Sequence, residues 1–219
     1  MPATPEFHGP ERECARCPRL RQFLLDTRAE HPDWHNAPVP AFGGLDARLL
    51  IVGLAPGLRG ANRTGRPFTG DFAGDLLYAT LAKMGYAKGV YAKHAGDGLE
   101  LIDCRVTNAV RCVPPQNKPV GAEQTACRPF LVDELAAMKN LKVVLALGGL
   151  AHGAVLAALG AKKSAYKFAH AARHDIGGGL VLADSYHCSR YNTNTGRLTE
   201  AMFLDVFEGV RRVLDGAGG

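Results

Sequence analysis

The chain has 219 residues, 47% apolar and 21% charged, which is enough for a full hydrophobic core and excludes wholesale disorder. Twenty-six Lys and Arg against 21 Asp and Glu leave a net charge of +5, a modest surplus that permits a polyanionic partner if it is gathered on one face. No apolar run is long enough for a secretory leader or a bilayer span, so one domain over 1–219, a cytoplasmic location, no membrane contact and six reduced cysteines are expected.

An N-terminal helix leads through the loop 31–44, HPDWHNAPVPAFGG, to the first strand. That strand is 48–54, RLLIVGL, a short apolar run ending in the tight turn Ala55-Pro56-Gly57. Leu76, Leu77, Leu81 and Met84 share one face of a helix predicted over 72–86. A second strand is predicted over 102–110, IDCRVTNAV, and a Pro-rich loop, 111–121, follows it. Phe130, Leu131, Leu135 and Met138 mark a helix over 122–139; 142–148, KVVLALG, is a strand; 150–159 is an Ala-rich helix. A last strand is predicted over 179–184, and Phe203, Val206, Phe207, Val210 and Leu214 repeat at helical spacing after a start at Thr199-Glu200. Strands alternating with helices predict an α/β fold, with a mostly parallel central sheet sandwiched by helices. Ligands of such sheets bind where strands end, which directs attention to the loops after 54, 110, 148 and 184.

Three of these loops carry notable residues. The first runs from Gly53-Leu54-Ala55-Pro56-Gly57 to Thr64-Gly65-Arg66-Pro67-Phe68-Thr69-Gly70-Asp71. It is neither a dinucleotide fingerprint nor a P-loop. Its glycines allow close backbone approach to a ligand, and Arg59, Arg63 and Arg66 have no acid between them, although a solvated basic loop looks the same. Asp75 falls in the first turn of the next helix, where an acid is ordinary dipole chemistry. Asn108 ends the second strand, a place where Asn commonly caps a turn. After the last strand comes Ser185-Tyr186-His187-Cys188-Ser189-Arg190-Tyr191-Asn192.

Cys14 and Cys17 form a C-x2-C pair, and Cys112 and Cys127 lie far along the chain. Four such thiolates suit a 4Fe–4S cluster or zinc, while unliganded buried cysteines are the bland alternative. Cys104 reads as a small core residue, and Cys188 as structural or pocket-lining.

In their order and spacing, the C-x2-C start, GLAPG, TGRPFTGD, TNAVRC, the distant fourth cysteine and HCSRYN resemble the iron–sulfur branch of the uracil-DNA glycosylase superfamily, most of all its family 5. The resemblance runs from Cys14 to about Asn192. It implies an enzyme that hydrolyses the N-glycosidic bond of uracil in damaged DNA and leaves an abasic site; a monomer is expected. It implies a 4Fe–4S cluster on Cys14, Cys17, Cys112 and Cys127. By the same resemblance Phe68 stacks on the flipped base, Asn108 faces its hydrogen-bonding edge, and His187 offsets charge on the leaving base. Gly53, Leu54, Ala55, Pro56 and Gly57 approach the nucleotide. The basic loop residues Arg59, Arg63 and Arg66, together with Ser189, Arg190 and Tyr191, are expected to contact DNA, and the resemblance makes Arg190 and Tyr191 candidates for the wedge. The chain departs from related families at Leu54, where a polar or acidic residue positions water; the resemblance assigns the acid to Asp75 instead. Gly70, Ala73 and Gly74, all small, imply a roomy pocket that accepts other deaminated bases, hypoxanthine first. The rivals from other classes are a metal-folded nucleic-acid-binding module without chemistry and a nucleotide phosphohydrolase. The latter is opposed by the missing Walker Lys and acid cluster.

Overall fold

A computed structural model describes residues 7–216. After helix α1 (Pro18–Glu30), strand β1 (Leu49–Gly53) enters the centre of the molecule. A one-turn helix α2 (Ala61–Thr64) and helix α3 (Phe72–Lys83) follow, then a small hairpin of β2 (Ala87–Lys88) and β3 (Glu100–Leu101). Next come β4 (Cys104–Asn108), α4 (Gly121–Ala137), β5 (Val143–Leu147) and α5 (Gly149–Ala158). The chain closes with β6 (Arg173–Gly177), β7 (Leu180–Ser185), the short α6 (Arg190–Asn194) and α7 (Glu200–Leu214).

The main sheet has the order β4-β1-β5-β7-β6. The first four strands are parallel and β6 runs antiparallel to β7 at the edge. Every residue of β1, β4 and β5 is buried, as expected of parallel strands covered on both faces. Alternation along β1 divides the core. Leu49 and Ile51 pack with Leu77 and Leu81 of α3 and Phe203 and Phe207 of α7. Leu50 and Val52 pack with Leu131 of α4 and Val155 and Leu156 of α5. The α/β expectation holds, and Thr199 caps α7 by accepting from the Met202 N–H. Among the described residues, no helix is long and apolar enough to cross a membrane.

A charged group that spans two elements lies inside this frame. Glu134 of α4 is fully buried and accepts from Arg105 Nε at 2.7 Å and Arg111 Nη2 at 2.6 Å. Arg105 also reaches the Gly43 carbonyl. The triad fastens β4 and the loop after it to α4. Removing one member of such a group is costly because the remaining charges stay buried without compensation. Glu134→Gln is therefore expected to lower the unfolding free energy by about 3–5 kcal/mol, seen as a lower urea midpoint. Breaking the exposed Lys88–Glu100 pair with Lys88→Ala should cost less than about 1 kcal/mol.

Candidate active site

The parallel topology brings the ends of β1, β4 and β7 together at one rim of the sheet, as the pairing of β4 with β1 and of β1 and β7 with β5 requires. A cavity of about 680 Å³ opens there. Leu54, Ala55, Pro56 and Gly57 line one side, Phe68, Asp71 and Ala73 another, with Asn108, Asn117, His187, Ser189 and Arg190 completing it.

Phe68 is buried and holds a left-handed backbone, φ 51°, a conformation that a bulky residue adopts only when its surroundings enforce it. They do so with three hydroxyl contacts. Tyr78 donates to the Pro67 carbonyl at 2.6 Å, Tyr91 donates to the Phe68 carbonyl at 3.3 Å, and the Gly70 N–H donates to the Tyr91 hydroxyl. Two glycines make room. A Cβ at Gly74 would stand 1.8 Å from the Phe68 carbonyl oxygen, and one at Gly53 would stand 2.5 Å from Asn108 Oδ1 and 2.6 Å from Phe68 Cζ. Gly53 thus lets the ring and the carboxamide meet on the cavity floor. Of the three small residues expected as pocket walls, only Ala73 lines the cavity.

Arg66 corrects the sequence reading. It was expected to face DNA, but its side chain is only 4% exposed. Its guanidinium makes two 2.7 Å hydrogen bonds to the carboxylate of Asp97, donates from Nε to Thr69, and lies over the rings of Phe42, Tyr78 and Tyr91. The guanidinium holds the Asp97 carboxyl well below the usual range. Arg66 is the internal strut of this loop. Arg59 and Arg63 are exposed, and Arg59 lines the cavity mouth. Arg190 also lies there, against Phe72, while Tyr191 is 72% exposed beside it. Ser189 caps α6 by accepting from the Asn192 N–H.

The acid on the cavity wall is Asp71. It precedes α3 in extended conformation, and its carboxylate accepts from the Gly74 N–H at 3.2 Å, the ordinary N-cap bond. Asp75, assigned by sequence to the scissile bond, does not line the cavity; it lies within the helix and pairs with Lys93 at 2.9 Å near the surface. Asn117 also lines the cavity, in a left-handed turn (φ 56°) of the Pro-rich loop. Sequence reasoning passed over both residues. The signals for them were an Asp standing directly before a helix, and an Asn in the loop that follows a strand end. Among the described residues, nothing hydrogen-bonds the carboxamide of buried Asn108, so its donor and acceptor are available to a ligand. The ring of His187 tilts toward Phe68, 6.0 Å between centroids, and the His187 carbonyl accepts from Asn192 Nδ2 at 2.8 Å.

Cys14, Cys17, Cys112 and Cys127 line one small pocket of their own. Their neighbours include Leu20, Val110, Phe130 and, significantly, Ala55, whose other side forms the cavity wall. The backbone N–H of Arg111 donates to Cys127 Sγ at 3.4 Å. A bidentate ion pair, Arg19 to Glu123, joins the start of α1 to the start of α4 and so joins the two halves of the cysteine set. Cys104 and Cys188 are fully buried in the core.

A model of the Uracil DNA glycosylase superfamily matches residues 40–211. The chain is 44% identical to a type-5 uracil-DNA glycosylase of Thermus thermophilus over 206 residues, covering 91% of this chain and 93% of the relative. It is 41% identical to the type-5 enzyme of Pyrobaculum aerophilum (94% and 89% covered) and 39% identical to that of Mycobacterium leprae (96% and 96%).

Burial disfavours the charged form of both ionisable groups in the cavity. It pushes the Asp71 carboxyl up and the His187 imidazole down. An NMR titration should therefore find His187 neutral at pH 7 and protonating only below about 6.5, with Asp71 protonating above about 3.9. A His187 midpoint above that of a free imidazole would contradict this account.

Proposed function

The chain belongs to the uracil-DNA glycosylase superfamily, and we propose that it hydrolyses the N-glycosidic bond of uracil in DNA, releasing the free base and leaving an abasic site. The observation that carries the proposal is the single cavity in which an aromatic face, a free carboxamide, a carboxylate and a neutral imidazole converge. Each has a part in base excision. The nucleotide is extruded at a cost of a few kcal/mol, least for a mispaired base. Phe68 stacks on the base, an interaction of about 1–3 kcal/mol. The Asn108 carboxamide accepts from uracil N3–H and donates to O4, whereas cytosine presents an amine at that edge. As the C1′–N bond lengthens, positive charge grows on the sugar and negative charge on the base. Asp71 offsets the first and orients water, with Asn117 as a further polar group at the wall. His187, neutral and able to donate, offsets the second. Leu54 is unable to position water, which leaves that task to the opposite wall. Arg59, Arg63 and Arg190 engage phosphates at the mouth, and exposed Tyr191 enters the emptied stack.

The four-cysteine pocket holds a 4Fe–4S cluster in this reading. What supports this reading is the gathering of the four thiols in one pocket beside Leu20, Val110 and Phe130, a donor set and an apolar setting that an iron–sulfur cluster accepts. Bound there, the cluster acts as a clamp between α1, α4 and the loop of Ala55. In this reading the substrate range extends to other deaminated bases, hypoxanthine first, at lower efficiency, because the small side chain of Ala73 in the cavity wall offers little bulk to reject a larger base.

Three measurements test this. Asp71→Asn should keep the helix cap and DNA binding and lose at least about 100-fold in single-turnover uracil release, while Asp75→Asn stays near wild type; the reverse order would return the role to Asp75. The purified protein should contain iron and acid-labile sulfide, with Cys112→Ser lowering iron content and stability together; stoichiometric zinc and no iron after anaerobic preparation would refute the cluster. Matched duplexes carrying uracil, hypoxanthine, xanthine or thymine should yield uracil fastest and hypoxanthine next. Release of uracil alone at high enzyme excess would eliminate the broad range and leave the glycosylase reading standing.

A further inference from the structure

Toward the β7–β6 edge of the sheet, opposite the β4 edge, a second group of metal-ligating side chains converges. Asp184, next to the last residue of β7, has a fully buried carboxylate. His152 approaches it from the first turn of α5, with Nδ1 at 2.8 Å from Oδ1. His174 approaches from β6, which pairs with β7, with Nε2 at 3.2 Å from Oδ2. One ligand atom from each of the three residues lies within 4.8 Å of the others. Nothing in the proposed glycosylase chemistry uses them.

We propose that His152, His174 and Asp184 bind one divalent transition-metal ion, zinc for preference, at a site independent of the four cysteines. The decisive detail is at His152. Its Nδ1 faces the carboxylate and its Nε2 faces the Tyr166 carbonyl at 3.0 Å. Both partners are acceptors, yet a neutral imidazole has one N–H. The arrangement is satisfied either by an extra proton shared with Asp184 or by a cation standing where that proton stands. With the cation present, Nε2–H donates to the Tyr166 carbonyl and Nδ1 offers its lone pair to the ion. That is the outer hydrogen bond by which a metal-bound histidine is oriented. Two neutral imidazoles and one carboxylate form a donor set that zinc accepts, with a fourth position left to water. His152 Nδ1 and His174 Nε2 approach different oxygens of the Asp184 carboxylate, at 2.8 and 3.2 Å, and one ligand atom from each residue lies within 4.8 Å of the others, so side-chain adjustment draws them toward the roughly 3.3 Å edge of a tetrahedron with bonds of about 2.0–2.1 Å. His174, 16% exposed, is the way in. Edge-on contacts of Phe168 with His152 and of Tyr166 with His174 hold the rings in place.

The test uses the full chain as purified, with its iron and zinc content measured first. The protein is dialysed against zinc chloride and compared with Asp184→Asn and His174→Gln. Asp184→Asn is nearly isosteric, and His174 is partly exposed on the edge strand β6; circular dichroism checks that both variants fold. The expected result is one additional zinc per wild-type chain with no loss of iron. X-ray absorption should show nitrogen and oxygen neighbours at about 2.0–2.1 Å and no sulfur at about 2.3 Å. Affinity should fall at least about tenfold in each variant, and zinc should raise Tm in wild type alone. Absence of an additional zinc, a zinc ringed by sulfur, or equal zinc binding by wild type and His174→Gln overturns the proposal. The outcome is independent of the glycosylase reading, because none of these measurements involves DNA.

Discussion

The buried contact of Arg105 and Arg111 with Glu134 is the constraint on which the other parts rest. It joins the central sheet to α4 from within. Arg111 is also where chemistry on two sides meets. Asn108 lies three residues before it on the cavity floor, and Cys112 directly follows it. Its backbone N–H reaches Cys127, and its carbonyl accepts from Val39 in the loop after α1. Two guanidiniums share one carboxylate, so the group is not the cheapest way to fill a core. What it supplies is a fixed distance between the strand end and the helix, which apolar packing alone specifies less sharply. Ala55 lines the cavity and also packs against the apolar cluster around the cysteines, so the two sites lie next to each other.

A second internal ion pair plays the same part for the cavity's opposite wall. The loop between β1 and α3 has little regular structure, yet Phe68 must be presented at one angle. Arg66 and Asp97 pin it from below, and the hydroxyls of Tyr78 and Tyr91 occupy the carbonyls on either side of the ring. A loop that is basic by composition is therefore only partly basic at its surface.

Much of this was legible in the chain. The four strands that carry the site announce themselves as short apolar runs, and each is observed within a residue or two of its predicted bounds, because strands covered on both faces leave little room for polar residues. β6 was not foreseen, since an edge strand reading Arg173-His174-Asp175 has no apolar face to betray it. Arg66 misled for a different reason: its partner Asp97 is 31 residues away, and nothing local separates a buried guanidinium from a solvated one. Asp71 and Asp75 stand four residues apart on either side of a helix start. Which of them turns into the cavity depends on where the helix begins, and boundaries are the least determined feature of a pattern. The convergence of His152, His174 and Asp184 was likewise invisible, because three separate elements bring them together.

Asp71 has a double duty with a consequence for how this position tolerates change. Its side chain closes the first turn of α3 and, in the proposed reaction, faces the developing positive charge. Most replacements forfeit the cap and are removed through instability, typically by about 1 kcal/mol in a protein with little to spare. Asparagine is different, because it caps as well as aspartate does. It is the replacement that selection on folding fails to see. Such a protein would be abundant, soluble and still able to grip its lesion without releasing it. In a cell that also makes the intact enzyme, it would act as a competitor rather than as a mere loss.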